Sequence, residues 1–374
     1  MAGGITRLFR GETTINFYGR RNIGFLASGL LVLVTIVSLF AQGLNLGMDF
    51  KGGVAFEVPV KGGITVDKAR KVLEDNKVSA TNAKLQVLSS GSNQRIRIQT
   101  DELKPGVSTT VQAALAKASG TKVNDVSISE VSSTWGRSVT TKAIKALLVF
   151  LLAVSLYIRF KFKQWNMATA AIVAVIHDVA ISVGVYSVFG LEVTPATVVA
   201  FLTILGFSLY DTIVVFDKVI ENMDRFKGSR VSYGDIVNVS MNQVLMRSLN
   251  TSIAALLPVL SLLVLGSGVF GAVALREFAL ALLVGLATGA YSSIYIATPL
   301  LGILKERSPE YSSMRGQISV GTEMAHVMAT GAPVSRRSRA AEVSTGTDAS
   351  TPTPVPAVEA ILSHPPRPRK KSRK

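Results

Sequence analysis

The chain has 374 residues, 48% of them apolar and 17% charged, with a formal net charge of +16. It has no cysteine, which excludes disulfides, thiolate metal sites and cysteine nucleophiles. No phosphate-binding loop or other nucleotide motif is present, and the positive charge lies beside long apolar runs, so it reads as the flanks of membrane spans and not as a nucleic-acid surface.

Residues 1–22 form a basic segment with Arg7, Arg10, Arg20 and Arg21. Ile23–Gln42 is the first run long enough to cross a bilayer, which takes about 20 residues per helix. It is too long for a signal-peptide core and has no small-x-small cleavage site behind it, so it reads as a retained anchor. Five further spans are predicted at Ala143–Ile158, Met167–Phe189, Pro195–Phe216, Thr251–Leu265 and Val273–Leu304. The second and fifth are short and must extend into their flanks. In hydrocarbon each span must satisfy its own backbone, so all six are helices.

Residues 43–138 change character. Val54–Val60, Lys84–Ser89, Gln94–Thr100 and Val126–Val131 alternate like strands. Between them, Val66, Ala69, Val72 and Leu73 form one helical stripe behind a Gly62–Gly63 turn and a Thr65 N-cap. Val111, Ala114, Leu115 and Ala118 form another, with Thr109 and Gln112 at capping-box spacing. A hairpin is marked by Gly91-Ser92-Asn93. The order βαββαβ predicts a ferredoxin-like domain. The stretch Gly47-Met48-Asp49-Phe50-Lys51-Gly52-Gly53 is too short for another strand and reads as a hinge at Asp49, Gly52 and Gly53. The fold class expected is a membrane bundle of six helices, with helices two to six in 139–304, and an inserted extracytoplasmic α+β domain. Residues 305–374, rich in Ser, Thr, Ala and Pro and ending in a basic cluster, read as a disordered cytoplasmic tail.

Arg159, Lys161 and Lys163 lie between the second and third spans, and Lys218, Arg225, Lys227 and Arg230 between the fourth and fifth. The turn Gly190–Val193 holds only Glu192. The positive-inside rule therefore places both termini in the cytoplasm.

A charged side chain in the hydrocarbon costs about 2.5–3.5 kcal/mol on insertion scales, so such residues are usually functional or paired. Asp211 lies in the inner half of the fourth span and Asp178 near the centre of the third, beside His177. A low dielectric penalises the charged carboxylate, and a carboxyl that can be neutral in one step and charged in the next suits a proton relay. A packing hydrogen bond is the alternative for both aspartates, and an interhelical donor role for His177. Arg247 opens the fifth span on the side where it could reach Asp211. Snorkelling to headgroups fits it equally. Gly285, Gly289, Ser292 and Ser293 read as a small, close-packing face.

Several of these stretches together resemble the SecD/SecF family of the RND superfamily. Gly47–Gly53 is similar to its G-x-D-F-x-G-G signature, and Ile176-His177-Asp178 to its third span. Leu202–Thr212 with Val214–Lys218 resembles its fourth-span motif, Arg247–Ser252 the start of its fifth span and Tyr291–Ala297 its sixth. Tyr210 departs from the Asn usual there, and the tail has no counterpart in short members. The resemblance implies a SecF-like accessory subunit, not an enzyme, in the bacterial plasma membrane. It would pair with SecD in a twelve-helix assembly amid membrane lipid. With no cofactor, it would use a proton gradient (sodium in some members) to promote export of polypeptides through SecYEG. Asp211 would be the ion-conduction aspartate and Arg247 the arginine of the same path. A stand-alone RND-type exporter of small molecules or lipids and a non-conducting scaffold are the other classes open to this sequence.

Overall fold

The computed structural model describes residues 13–61, 63–81, 83–90, 93–269 and 273–333. Gly62, the hairpin residues Gly91 and Ser92, and the tail from Val334 lie outside them. The order along the chain begins with α1 (Arg21–Ala41), β1 (Asn45–Leu46), α2 (Met48–Lys51), β2 (Gly53–Pro59) and α3 (Val66–Asp75). It continues through β3 (Lys84–Ser90), β4 (Asn93–Thr100), α4 (Val107–Ser119) and β5 (Ser127–Val131), then α5 (Ser133–Phe162) and α6 (Trp165–Val188). After β6 (Glu192–Val193) come α7 (Pro195–Arg225), α8 (Tyr233–Ser261), α9 (Val273–Ser292), α10 (Thr298–Glu306) and α11 (Thr322–Thr330).

Six helices are long and apolar enough to cross a membrane: Arg21–Ala41, Ser133–Phe162, Trp165–Val188, Pro195–Arg225, Tyr233–Gly266 and Leu275–Glu306. The last is one continuous helical span made of α9, a π-helical turn at Ser293–Ala297 and α10. The predicted second and fifth spans do extend, by ten residues upstream to Ser133 and by a long polar stretch back to Tyr233. The second span therefore begins inside the stretch assigned by sequence to the inserted domain.

That domain is a four-stranded antiparallel sheet in the order β3-β4-β2-β5. Alternation puts Phe56 opposite Ile98 and Val58 opposite Ile96, and all four are fully buried beneath Ala69 and Leu73 of α3 and Val111 and Leu115 of α4. Thr65 caps α3 by accepting from the Lys68 amide. Thr109 does not cap α4. That helix starts two residues earlier, behind Gly106 in a left-handed conformation, and Gln112 instead donates to the Val126 carbonyl.

Two short strands escape a pattern-based reading. β1 and β6 pair in parallel, Asn45 with Glu192 and Leu46 with Val193, and join the linker after α1 to the turn between α6 and α7. Pairs this short have no periodicity to detect. The glycine-rich stretch that follows β1 is a helical turn, α2, seated on the start of α5. Gly136 lies so close to the Phe50 carbonyl that a β-carbon there would stand 2.5 Å from the oxygen. Gly52 needs its positive φ of 85° and would clash with the Ser133 backbone if substituted. The segment expected as a hinge is thus close-packed.

At the end of the bundle remote from the sheet, α8 begins as the centre of a small polar cap. Every residue from Val231 to Asn242 is buried. Asn242 accepts from the Ile15 amide at 2.8 Å and donates to the Ile15 carbonyl at 2.8 Å, and Asn238 accepts from the Tyr18 amide at 2.7 Å. Asp235 accepts from the Ser319 amide and hydroxyl. Met324 and Val327 of α11 are fully buried in the main core cluster, which also holds Val237 and Met241 of α8. Residues 308–333, read from sequence as part of a disordered tail, thus form a 3₁₀ turn at Ser312–Met314 and the helix α11. Low complexity hid the few apolar side chains that dock there.

Candidate functional site

The site is built on α7. Thr194 and Thr197 form a reciprocal capping box at its start and Pro195 occupies the first turn, where a missing amide costs nothing. Ile204, Leu205, Ser208, Asp211, Thr212 and Val215 make its buried face. Two glycines of α9 let the helices approach there. A β-carbon at Gly285 would stand 2.2 Å from the Ile204 side chain, and one at Gly289 2.8 Å from Ser208.

Asp211 is 4% exposed. Ser248 of α8 donates to its carboxylate, 2.7 Å from each oxygen, and Ser293 donates to Oδ2 at 2.5 Å. Hydroxyls of two different helices therefore point at one buried carboxylate. Ser293 opens the π-helical turn. Pro299 lacks the amide that an α-helix would use at that position, and Thr298 places its hydroxyl on the Ser293 carbonyl at 2.7 Å. Such π-bulges are frequent at functional sites.

Asp178 is 1% exposed, with a hydrogen-bond group of its own that reaches α7 through Ser208. Ser208, one turn before Asp211 on α7, donates to its Oδ2 at 2.5 Å, and His177 Nδ1 lies 3.2 Å from its Oδ1. The His177 ring is buried with Nε2 unpartnered among the described residues, 6.2 Å from the Tyr291 ring. Tyr291 itself donates to the Gly24 carbonyl at 2.9 Å. One strip of α7 thus carries Asp211 and, through Ser208, bonds Asp178.

Arg247 is not brought to Asp211. Its neighbour Ser248 takes that place, and a residue one position away on a helix points about 100° aside. Arg247 is exposed, as are Asn250 on the same face of α8 and Tyr210 on α7. Asp49 sits in α2, away from these acids. Burial pushes its carboxyl up, Arg97 opposes that and Glu192 adds to it. Sequence reasoning found Asp211 and Asp178 by their cost in hydrocarbon but assigned no role to Ser208 or Ser248 and read Ser293 as packing. Among the described residues no group of three or more His, Asp and Glu is placed to hold a metal ion.

Six helices long and apolar enough to cross a membrane, with a carboxylate buried among them and held by two hydroxyls, define a multi-pass membrane protein. Comparison with known proteins narrows this. The family described as protein export membrane protein SecD/SecF, C-terminal, matches residues 110–307, and the SecD/SecF GG motif matches residues 37–64. The protein translocase subunit SecF of Streptomyces coelicolor is 41% identical over 83% of this chain and 82% of its own length, and that of Mycobacterium tuberculosis H37Rv is 39% identical over 81% and 70%. The crystal structure of SecDF, a translocon-associated membrane protein from Thermus thermophilus, superposes with a TM-score of 0.70 at 34% identity, covering 79% of this chain. This chain spans 39% of that longer one. It belongs to the SecD/SecF family.

Proposed function

We propose that this chain is the SecF-type accessory subunit of the Sec protein translocase, pairing with SecD and using the proton motive force to promote export of polypeptides through SecYEG. The observation that carries this reading is the Asp211 carboxylate, buried in a membrane-spanning helix and held by the hydroxyls of Ser248 and Ser293. An ionised carboxylate accepts from both. A protonated one turns an oxygen into a donor while the other still accepts, so a hydroxyl facing the protonated oxygen must accept instead and send its own hydrogen elsewhere, and the grip of α8 and of the π turn on α7 changes. A membrane potential of 100 mV supplies about 2.3 kcal/mol per proton, enough to drive a rearrangement of a few hydrogen bonds.

Asp178 and His177 form a second station of this relay, joined to the Asp211 helix through Ser208. Association with SecD is supported by the Thermus relative named SecDF, a single chain of which this one covers 39%. It is supported as well by the polar face of Tyr210, Arg247 and Asn250, which would be costly against lipid. The inserted domain is ferredoxin-like and extracytoplasmic in this reading, consistent with its sheet order, and both termini are cytoplasmic. A cysteine at Thr109 should then react with an impermeant reagent from outside and one at Lys227 only after lysis.

The decisive experiment replaces Asp211 by Asn, which keeps size and hydrogen bonding but cannot carry a proton. Gradient-dependent export in vesicles should be lost while the protein remains in the membrane with its partner. Wild-type stimulation in Asp211→Asn would remove the relay from the mechanism.

A further inference from the structure

The short turn between α6 and α7 joins the helix of Asp178 to the helix of Asp211, and it carries one charge, Glu192. In an exposed turn this carboxylate would be solvated. Here it is 9% exposed. Lys84 of β3 donates to its Oε2 at 2.6 Å and Gln99 of β4 to its Oε1 at 2.9 Å. Lys84 and Gln99 are register partners on adjacent strands, so the sheet presents two donors side by side to one acceptor. Burial pushes the Glu192 carboxyl up, but the bonds from Lys84 and Gln99 and the charges of Lys84 and Arg97 outweigh it and hold the group below the usual glutamate range.

The backbone of the same turn is tied down as well. β6 pairs with β1, the Gly47 amide donates to the Val193 carbonyl at 2.9 Å, and the Asn45 side chain donates to the Gly190 carbonyl at 2.9 Å. A β-carbon at Gly47 would stand 2.9 Å from Glu192 Oε1, so glycine at this position leaves room for the carboxylate. Removing one partner of a buried charge leaves the other unsatisfied, which makes such a contact specific about what it joins.

We infer that Glu192 is a positioning residue that fastens the turn between the two acid-bearing helices to the sheet domain, so that movement at Asp211 is delivered to the domain through Glu192, Lys84 and Gln99. This rests on the relay reading above. It differs from a swing about the glycine-rich stretch, because the turn and the sheet move as one piece.

The test uses the full chain, co-expressed with its membrane partner, in vesicles with and without a proton gradient. Leu46→Cys with Val193→Cys supplies a reporter. Paired strands lie about 4.8 Å apart, within disulfide range, and the chain has no cysteine of its own. Lys84→Glu should cut gradient-stimulated export at least tenfold, leave gradient-independent export in place and lower the yield of the 46–193 disulfide. Glu192→Gln, which keeps the shape, should reduce stimulation in the same direction. Combining Lys84→Glu with Glu192→Lys should restore both readouts. In the otherwise wild-type chain the disulfide itself should leave stimulated export intact. Wild-type stimulation in Lys84→Glu despite a lowered disulfide yield would overturn the inference. So would a disulfide that abolishes stimulation reversibly with reductant, since the domain must then leave the turn. Asp211→Asn run in parallel separates the two claims: if it loses stimulation while the Lys84 and Glu192 variants do not, the relay stands and the fastening falls.

Discussion

The bundle contains two kinds of helix. In the most apolar stretch of α6, of α7 and of the α9–α10 span, 56, 44 and 61% of the residues are buried within the chain, against 22, 11 and 17% in α1, α5 and the α8 span. All six are apolar enough to cross a membrane, so hydropathy alone does not separate them. What separates them is where small and polar side chains fall. The inner helices bring Gly285, Gly289, Ser208, Ser293, Asp178 and Asp211 to shared faces, while the outer ones present Leu26, Leu30, Leu148, Val149 and Leu257 outward. Lipid is as apolar as leucine and gives helices no hydrophobic reason to associate. Close approach and buried hydrogen bonds must do it: the inner set carries both acids, and Ser248 of α8 and Ser28 and Ser38 of α1 bond onto it from outside.

The comparison can be broken most sharply at the carboxylate. Removing both hydroxyls with Ser248→Ala and Ser293→Ala should nearly abolish gradient-stimulated export, since each bond to a charged group contributes about 1.5–3 kcal/mol. Each single variant should be intermediate, as read from export rate against imposed gradient. Equal rates for the wild type and the double variant would mean that the ring of donors only fills space. Next in size is packing. Gly285→Ala puts a methyl into Ile204 and should cost about 1–3 kcal/mol, whereas Gly29→Ala in α1 meets no atom within 4 Å and should be neutral or stabilising by up to about 1 kcal/mol. Thermal unfolding in detergent reads both, and equal losses would erase the distinction between inner and outer helices.

A smaller effect is expected from pH at the junction with the sheet. The docked Glu192 has its carboxyl lowered, so its contribution is complete above the ordinary glutamate value of 4.5 and is lost only as pH falls through the lower docked value. The stability difference between wild type and Glu192→Gln, read by unfolding in detergent, should therefore stay level on acidification to about 4.5 and decline below it. Onset near neutrality would mean that the carboxylate is not held as described. Smallest of all, Tyr210→Asn, on an exposed face, should change the stability of the isolated chain by no more than about 0.5 kcal/mol. A larger loss in the same unfolding assay would place Tyr210 in the inner set.

Legibility in the sequence followed the cost of each residue. Asp211 and Asp178 stood out because a charge inside an apolar run is expensive, and the strands Gly53–Pro59 and Asn93–Thr100 because alternation over seven or eight residues is a strong signal. Ser248 and Ser293 did not, because a serine in a membrane helix is cheap and common and its hydroxyl can bond its own helix. Where it points is decided by tertiary geometry, here by the wide turn before Pro299. Glu192 looked like an ordinary loop charge because its partners are 108 and 93 residues away. The exposure of Arg247 was likewise invisible, since it depends on which of two neighbouring residues turns inward.

The anchoring of Ile15 and Tyr18 by Asn242 and Asn238 spans 227 and 220 positions of sequence. At ribosomal rates of roughly 5–20 residues per second, about 10–45 s separate synthesis of the first segment from synthesis of its receptor. During that interval the leading end of the chain has no dock. The cap closes only after the fifth membrane helix has begun to emerge, so a nascent chain arrested before that point is also one whose first helix has not yet been fastened at its N-terminal end.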